Sequence, residues 1–207
     1  MTDPTQPSQP AVDPALVSRV KGILLQPKAE WQVIDHEFAT TNSLYTRYAM
    51  ILAAIGPIAS LIASVGFGHA SIVSALVGAV LGYILALALV YVLGIIVNAL
   101  ATSFGGAPNA IQAQKLVVYS YTAVWIAGVL NLIPGLGNLG SVIGGIYTLV
   151  LLFLGLPILM KAPEDKKVVY YIVTLLAAVA LFIVAGVIVA AAATAFVVST
   201  GGLAALA

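Results

Sequence analysis

The chain has 207 residues, of which eight are Lys or Arg and seven Asp or Glu, so 7% are charged and the formal net charge is +1. Soluble domains carry about 25% charged residues; with 62% hydrophobic residues and a mean hydropathy of +1.13, this composition excludes disorder and a soluble globular domain and points to an integral membrane protein. The near-zero net charge excludes nucleic acid as a partner, and the lack of cysteine excludes a disulfide framework, a thiolate metal site and a Cys nucleophile.

Residues 1–11 are rich in Pro, Gln and Thr and are expected to be a disordered tail. They have neither the basic start nor the apolar core of a signal peptide. Residues 12–42 read as a cytoplasmic amphipathic helical region. Asp13 suits an N-cap and Pro14 the first helical position. Leu16, Val17, Val20, Ile23 and Leu24 then share a face. Pro27 restarts the pattern, and Trp31, Ile34 and Phe38 follow at helical spacing. These two short helices lie on the membrane surface or dock under the bundle. With three basic and four acidic residues between Asp13 and Phe38, the region is not a polybasic lipid-binding segment. Membrane contact would come from apolar burial and from Trp31, a residue type favoured at the interface.

Residues 43–200 read as an all-α domain of five transmembrane helices, since a crossing needs about 20 apolar residues and the runs are continuous rather than alternating. The spans fall near residues 48–67, 72–101, 116–133, 139–160 and 168–198, and residues 201–207 form a short outer tail. Gly66 to Ser71 and Ile133 to Asn138 supply the breaks. Pro57 and Pro157 should kink or shorten the first and fourth spans. The fifth run exceeds a minimal crossing and should tilt or protrude.

Arg19, Lys21, Lys28, Arg47, Lys115, Lys161, Lys166 and Lys167 are all the basic residues. With the N-terminus in the cytoplasm, every one falls in the N-terminal region, the loop 102–115 or the loop 161–167. The positive-inside rule therefore sets the N-terminus inside and the C-terminus outside.

No charge lies within the expected spans, which disfavours proton-coupled transport and acid–base catalysis. His36 and His69 are isolated, so no metal site is expected. No nucleotide-binding or hydrolase motif is present, and neither a cofactor nor an enzymatic activity is expected. Asn98, Tyr119, Tyr121 and Asn131 are the candidate lining of an intramembrane polar path; alternatively they hydrogen-bond between helices, at about 0.6 kcal/mol each. Ser74, Gly78, Gly82 and Ala86 recur every four residues, as do Gly140 and Gly144. This spacing predicts close helix packing with spans two and four central, or a homo-oligomer contact.

Several segments come in a characteristic order: Leu-Leu-Gln-Pro-Lys-Ala-Glu-Trp-Gln-Val-Ile at 24–34, Phe-Gly-Gly at 104–106, Gln-Lys-Leu-Val-Val-Tyr-Ser-Tyr-Thr at 114–122, Leu-Asn-Leu-Ile-Pro-Gly-Leu-Gly at 130–137, Gly-Gly-Ile-Tyr-Thr-Leu at 144–149 and Leu-Gly-Leu-Pro-Ile-Leu-Met-Lys-Ala-Pro at 154–163. This series resembles the Yip family, the Ypt/Rab-interacting five-span membrane proteins, in its short bacterial form. The resemblance implies a plasma (inner) membrane location and a scaffold or adaptor in membrane organisation or trafficking, with no catalytic residues. The Asp-Leu-Tyr-Gly-Pro segment of eukaryotic relatives is absent, since Thr46-Arg47 follows Leu44-Tyr45, so Rab binding is not carried over. The candidate interaction face comprises Trp31, Phe104, Gly105, Gly106, Lys115, Lys161, Lys166 and Lys167. Its partners would be the lipid bilayer, another membrane or cytoplasmic protein, or a second copy of the chain. The alternative is a small-solute or lipid transporter or channel using the polar residues of spans two to four.

Overall fold

The computed structural model describes residues 16–67 and 72–204; the expected tail 1–11, Asp13, Pro14 and His69 lie outside the described residues. Two short helices, α1 (Leu16–Leu25) and α2 (Pro27–His36), form a hairpin. Pro27 sits in the first turn of α2, where its missing N–H costs nothing. Five helices follow that are long and apolar enough to cross a membrane: α3 (Thr41–Gly66), α4 (Ile72–Leu100), α5 (Ala110–Leu132), α6 (Gly137–Leu159) and α7 (Lys167–Ala204).

Helix α3 begins at Thr41, where Thr40 and Ser43 form a reciprocal capping box. A π-helical turn at Tyr45–Ala49 then leads into the membrane-crossing part. The helix breaks at Ala54, and Pro57 falls in the first turn of the resumed segment Ile55–Gly66, which tolerates it. Pro157 stands in the last turn of an uninterrupted α6. Helix α7 at 38 residues is roughly 57 Å long at 1.5 Å per residue, more than a hydrocarbon core of about 30 Å requires.

The third span differs from the expectation. It starts at Ala110, not at residue 116, because the Asn109 side chain accepts the Gln112 N–H and caps the helix. Lys115 is therefore inside α5, and the loop preceding it is shorter. The order of centrality also differs. The most apolar stretch of α5 is 50% buried and that of α6 39%, against 22% for α4. Helix α5 lies between α4 and α6, and its far end meets α3.

Burial is concentrated at the end of the bundle that carries the charges. Trp31, Ile34, Val97, Leu116, Leu156, Leu159, Met160 and Tyr170 all pack there. Toward the other end, large apolar side chains such as Ile84, Ile146, Leu176 and Phe182 are exposed. Such a surface suits lipid as solvent, while the helices satisfy their own backbone groups.

Candidate functional site

The hairpin is clamped to the charged end of the bundle. On α1, Arg19 falls one turn before Ile23 and shares its inward face; both are buried. The Arg19 guanidinium donates Nη1–H to Glu30 and Nη2–H to Glu37. It also lies 5.5 Å over the Tyr119 ring of α5. That ring meets Tyr48 edge-on at 4.8 Å, and the Tyr48 hydroxyl is 2.8 Å from Thr122 Oγ1. Burial alone would lower the Arg19 pKa, but the hydrogen bond to Glu37 and the neighbouring charges of Glu37 and Glu30 outweigh it and hold it above its ordinary value.

The C-terminal end of α2 is held by three donors from other elements. Lys115 Nζ donates to the Ile34 carbonyl at 2.9 Å and to the Glu37 carbonyl at 2.5 Å. This places a cation on the negative end of the helix dipole. Gln112 Nε2 donates to Asp35 O at 2.9 Å and to Asp35 Oδ1 at 3.0 Å. Lys161 Nζ donates to Asp35 Oδ2 at 2.5 Å. At the other end of the hairpin, the Tyr147 hydroxyl of α6 donates to the Leu24 carbonyl at 2.6 Å.

Trp31 and Lys115 are thus anchors beneath the surface and not part of an exposed face. Trp31 is 0% and Lys115 2% exposed. Trp31 is drawn in because α6 presents a bare glycine, Gly155, at its ring. Lys115 is drawn in because the end of α2 supplies carbonyl acceptors.

The other six candidate face residues are brought together. Gly105 adopts a φ of 73°, the left-handed region that favours glycine. Its turn is tied to the end of α6 by the Ala107 N–H donating to the Met160 carbonyl at 2.8 Å. A Cβ at Gly105 would lie 3.3 Å from Pro163 Cγ and 3.7 Å from Lys166 Cδ. Phe104 stacks on Tyr170 at 5.2 Å. Lys161 and Lys166 are exposed, and half-buried Lys167 pairs with Glu164.

The intramembrane polar residues do not converge. Tyr119 belongs to the Arg19 cluster, and Tyr121 leans on Trp125 at 6.0 Å. Asn131 Nδ2 donates to the Gly56 carbonyl at 3.5 Å, toward the opposite end of the bundle. Asn98 is on α4, near the charged end.

The glycines divide. A Cβ at Gly144 would lie 2.7 Å from Ala127 Cβ, and one at Gly140 would lie 2.8 Å from the Ala127 carbonyl oxygen. These two let α6 approach α5. At Gly78 and Gly82 a Cβ would meet nothing within 4 Å. They line a cleft of about 490 Å³ between α3, α4 and α5, so the expected close packing at these two positions is corrected: the stripe faces the cleft, not a neighbouring backbone.

The Yip1 domain family matches residues 21–187. The chain belongs to the Yip1 family. It is similar to the inner membrane protein YohC of Escherichia coli K12, at 29% identity over 162 residues covering 72% of this chain and 83% of that protein. The YohC protein of E. coli O6:H1 matches to the same extent. No solved structure matches. The chain is an integral membrane protein with five candidate spans among the described residues. Within the Yip1 domain fall Glu30, Glu37, Lys115 and Lys161, while Arg19 lies just before it.

The residues that sequence reasoning missed are Arg19, Glu30, Asp35, Glu37 and Gln112. Signals existed for some of them. Arg19 stands on the border of the apolar face of α1, and Glu30 and Glu37 are seven residues apart, on one side of a helical pattern. Among the described residues, no three His, Cys, Asp or Glu side chains gather where a metal could bind.

Proposed function

We propose that this Yip1 family protein is a non-enzymatic scaffold of the bacterial inner membrane that presents a cytoplasmic surface to another membrane or cytoplasmic protein. The surface consists of the Phe104-Gly105-Gly106 turn and the loop carrying Lys161, Lys166 and Lys167. One observation carries the reading. Two loops distant in sequence are fastened by the Ala107–Met160 backbone hydrogen bond and leave Lys166 exposed beside an exposed Gly105. A fixed surface of this kind loses little conformational entropy on binding. The orientation rests on the basic residues, all of which lie before α3, in its first two turns (Arg47), near the start of α5 or in the segment 161–167.

The test is proximity labelling in cells, comparing the wild type with a Ser103→Glu, Lys166→Glu variant at matched expression, Ser103 being the exposed residue just before Phe104. Loss of specific labelled partners is the expected result; an unchanged set overturns the reading. Orientation has its own test, because the chain has no cysteine. Lys166→Cys should react with a membrane-impermeant maleimide only after the cells are opened, and Asn138→Cys in intact spheroplasts. The reverse pattern overturns the orientation.

A further inference from the structure

We propose that the turn of the hairpin, residues 24–27, inserts among the acyl chains of the leaflet at the charged end of the bundle, with Lys21 and Lys28 at the level of the lipid phosphates. In the orientation given above this is the cytoplasmic leaflet.

The depth follows from the register of the hairpin with the spans. Two charges mark the plane where the uncharged runs begin. Arg47 is the last charge before the first run, and its neighbour Tyr48 is hydrogen-bonded to Thr122 of α5. Lys167 opens α7, and its Nζ lies 6.0 Å from the Phe153 ring of α6. The plane therefore passes near Thr122 and Phe153, and the hairpin crosses it. Its Leu24 carbonyl accepts the Tyr147 hydroxyl, and Tyr147 stands about 9 Å past Phe153 at 1.5 Å per residue of α6. Helix α1 also packs on Thr122–Ala127 of α5, which runs about 8 Å past the plane. Amphipathic helices at a membrane interface bury their apolar face by about 5–10 Å, so the turn reaches the upper acyl chains.

The side chains match this depth. Leu25, at the tip, is 76% exposed. Lys28 shares an open cleft with Leu154, the neighbour of Phe153, and so stands at the plane. Lys21 adjoins Gly22, whose bare Cα faces Glu30, one residue before Trp31 at Gly155. Both lysines are exposed and, among the described residues, have no hydrogen bond or ion pair. The other charges packed about the hairpin cancel: Arg19 and Lys115 balance Glu30 and Glu37, and Lys161 balances Asp35. Two cations flanking an apolar tip suit phosphates above acyl chains, since a lysine stem lies along apolar surface while its ammonium stays among polar groups.

The backbone of the turn is closed for a medium without water. Pro27 has no N–H, the Gln26 N–H donates to the Gly22 carbonyl at 2.8 Å, and the Gln26 carbonyl accepts from the Glu30 N–H at 3.0 Å. The Leu24 carbonyl has the Tyr147 hydroxyl at 2.6 Å. Backbone groups in lipid need such internal partners, whereas water would satisfy them at a surface turn. Gln26 is the one polar side chain of the tip.

The experiment uses the full chain in vesicles of phosphatidylethanolamine and phosphatidylglycerol, with single cysteines introduced into a chain that has none. Leu25→Cys, Lys28→Cys and Gln32→Cys, all at exposed positions, carry a nitroxide. Its collisions with oxygen, which concentrates in lipid, are compared with those of a nickel chelate, which stays in water. Phe182→Cys on the exposed apolar face of α7 and Lys166→Cys mark the two extremes. The preference should shift from nickel to oxygen in the order Gln32, Lys28, Leu25, with the Leu25 label on the side of Phe182. A Leu25 label as open to nickel as the one at Lys166 would overturn the proposal. So would a label shielded from both reagents, which would mean that protein covers the tip, or a flat order along the hairpin.

Discussion

Trp31 of the hairpin packs against the bare Cα of Gly155 in α6: a methyl group there would stand 2.7 Å from Trp31 Cε2 and 2.7 Å from Leu116 Cδ1. The indole is a rigid ring wedged between two spans, so the clash has no flexible chain end to absorb it. Gly155→Val should lift the hairpin from the bundle at a cost of about 1–3 kcal/mol. The chain has two tryptophans, so a Trp125→Phe background reports Trp31 alone. Its emission should shift to the red in Gly155→Val. An unshifted spectrum and an unchanged melting temperature would show that α6 has room for the larger side chain.

Arg19 joins α1 to both Glu30 and Glu37. Arg19→Met should destabilise the protein by about 3 kcal/mol, since it strands two carboxylates. The carboxylates keep 19% and 31% of their side-chain exposure, so the loss falls at the low end for a buried pair. The triple variant Arg19→Met, Glu30→Gln, Glu37→Gln should recover most of it, as read by denaturant unfolding in detergent. Because the Arg19 pKa is raised above its ordinary value, its contribution is complete below that ordinary value and is lost only as pH rises through the folded-state pKa. Across neutral pH it is constant.

Lys115 donates to the Ile34 and Glu37 carbonyls that end α2. Lys115→Met keeps the length of the side chain and removes the donors. Leaving buried carbonyls unpaired costs about 1–3 kcal/mol. Amide hydrogen exchange should speed up through Pro27–His36 while the centre of α5 stays protected. Equal protection of α2 in both proteins would mean that Gln112 and Lys161 suffice to hold the helix.

Two glycine pairs with the same spacing should respond in opposite ways. Gly144→Val pushes α6 off Ala127 and Val124 and should lower the melting temperature, with a cost of about 1–3 kcal/mol or more. Gly78→Ala and Gly82→Ala meet open space. Each should be neutral or stabilise by up to about 1 kcal/mol through helix propensity. A large loss from either alanine variant would point to a neighbour seated in the α3–α4 cleft, such as a second copy of the chain.

Much of the architecture was legible in the sequence, because its signals are local. Continuous apolar length, Pro-Gly breaks and the helix restart at Pro27 do not depend on what lies next to them. The site was less legible. Lys115 looked like the boundary of a span because a lone cation in an apolar run normally marks one. Its acceptors belong to Ile34 and Glu37, far away in the chain. Trp31 looked like an interfacial residue because nothing near it in sequence announces Gly155. The stripes at Gly78 and Gly140 are indistinguishable as patterns, and differ only in whether another helix stands opposite.

The sequence by itself determined that this is a five-span helical membrane protein with its charge confined to one end. The reason is the bilayer: an uncharged stretch long enough to cross it must satisfy its backbone within a helix, and charge is expelled to the ends. Only the tertiary structure decided what that charge does. It shows Arg19, Lys115 and Lys161 spent on clamping the hairpin to the bundle and Lys166 left exposed. Pairing across such sequence distances depends on which helices become neighbours, and helix adjacency is set by packing between faces, which no local pattern encodes.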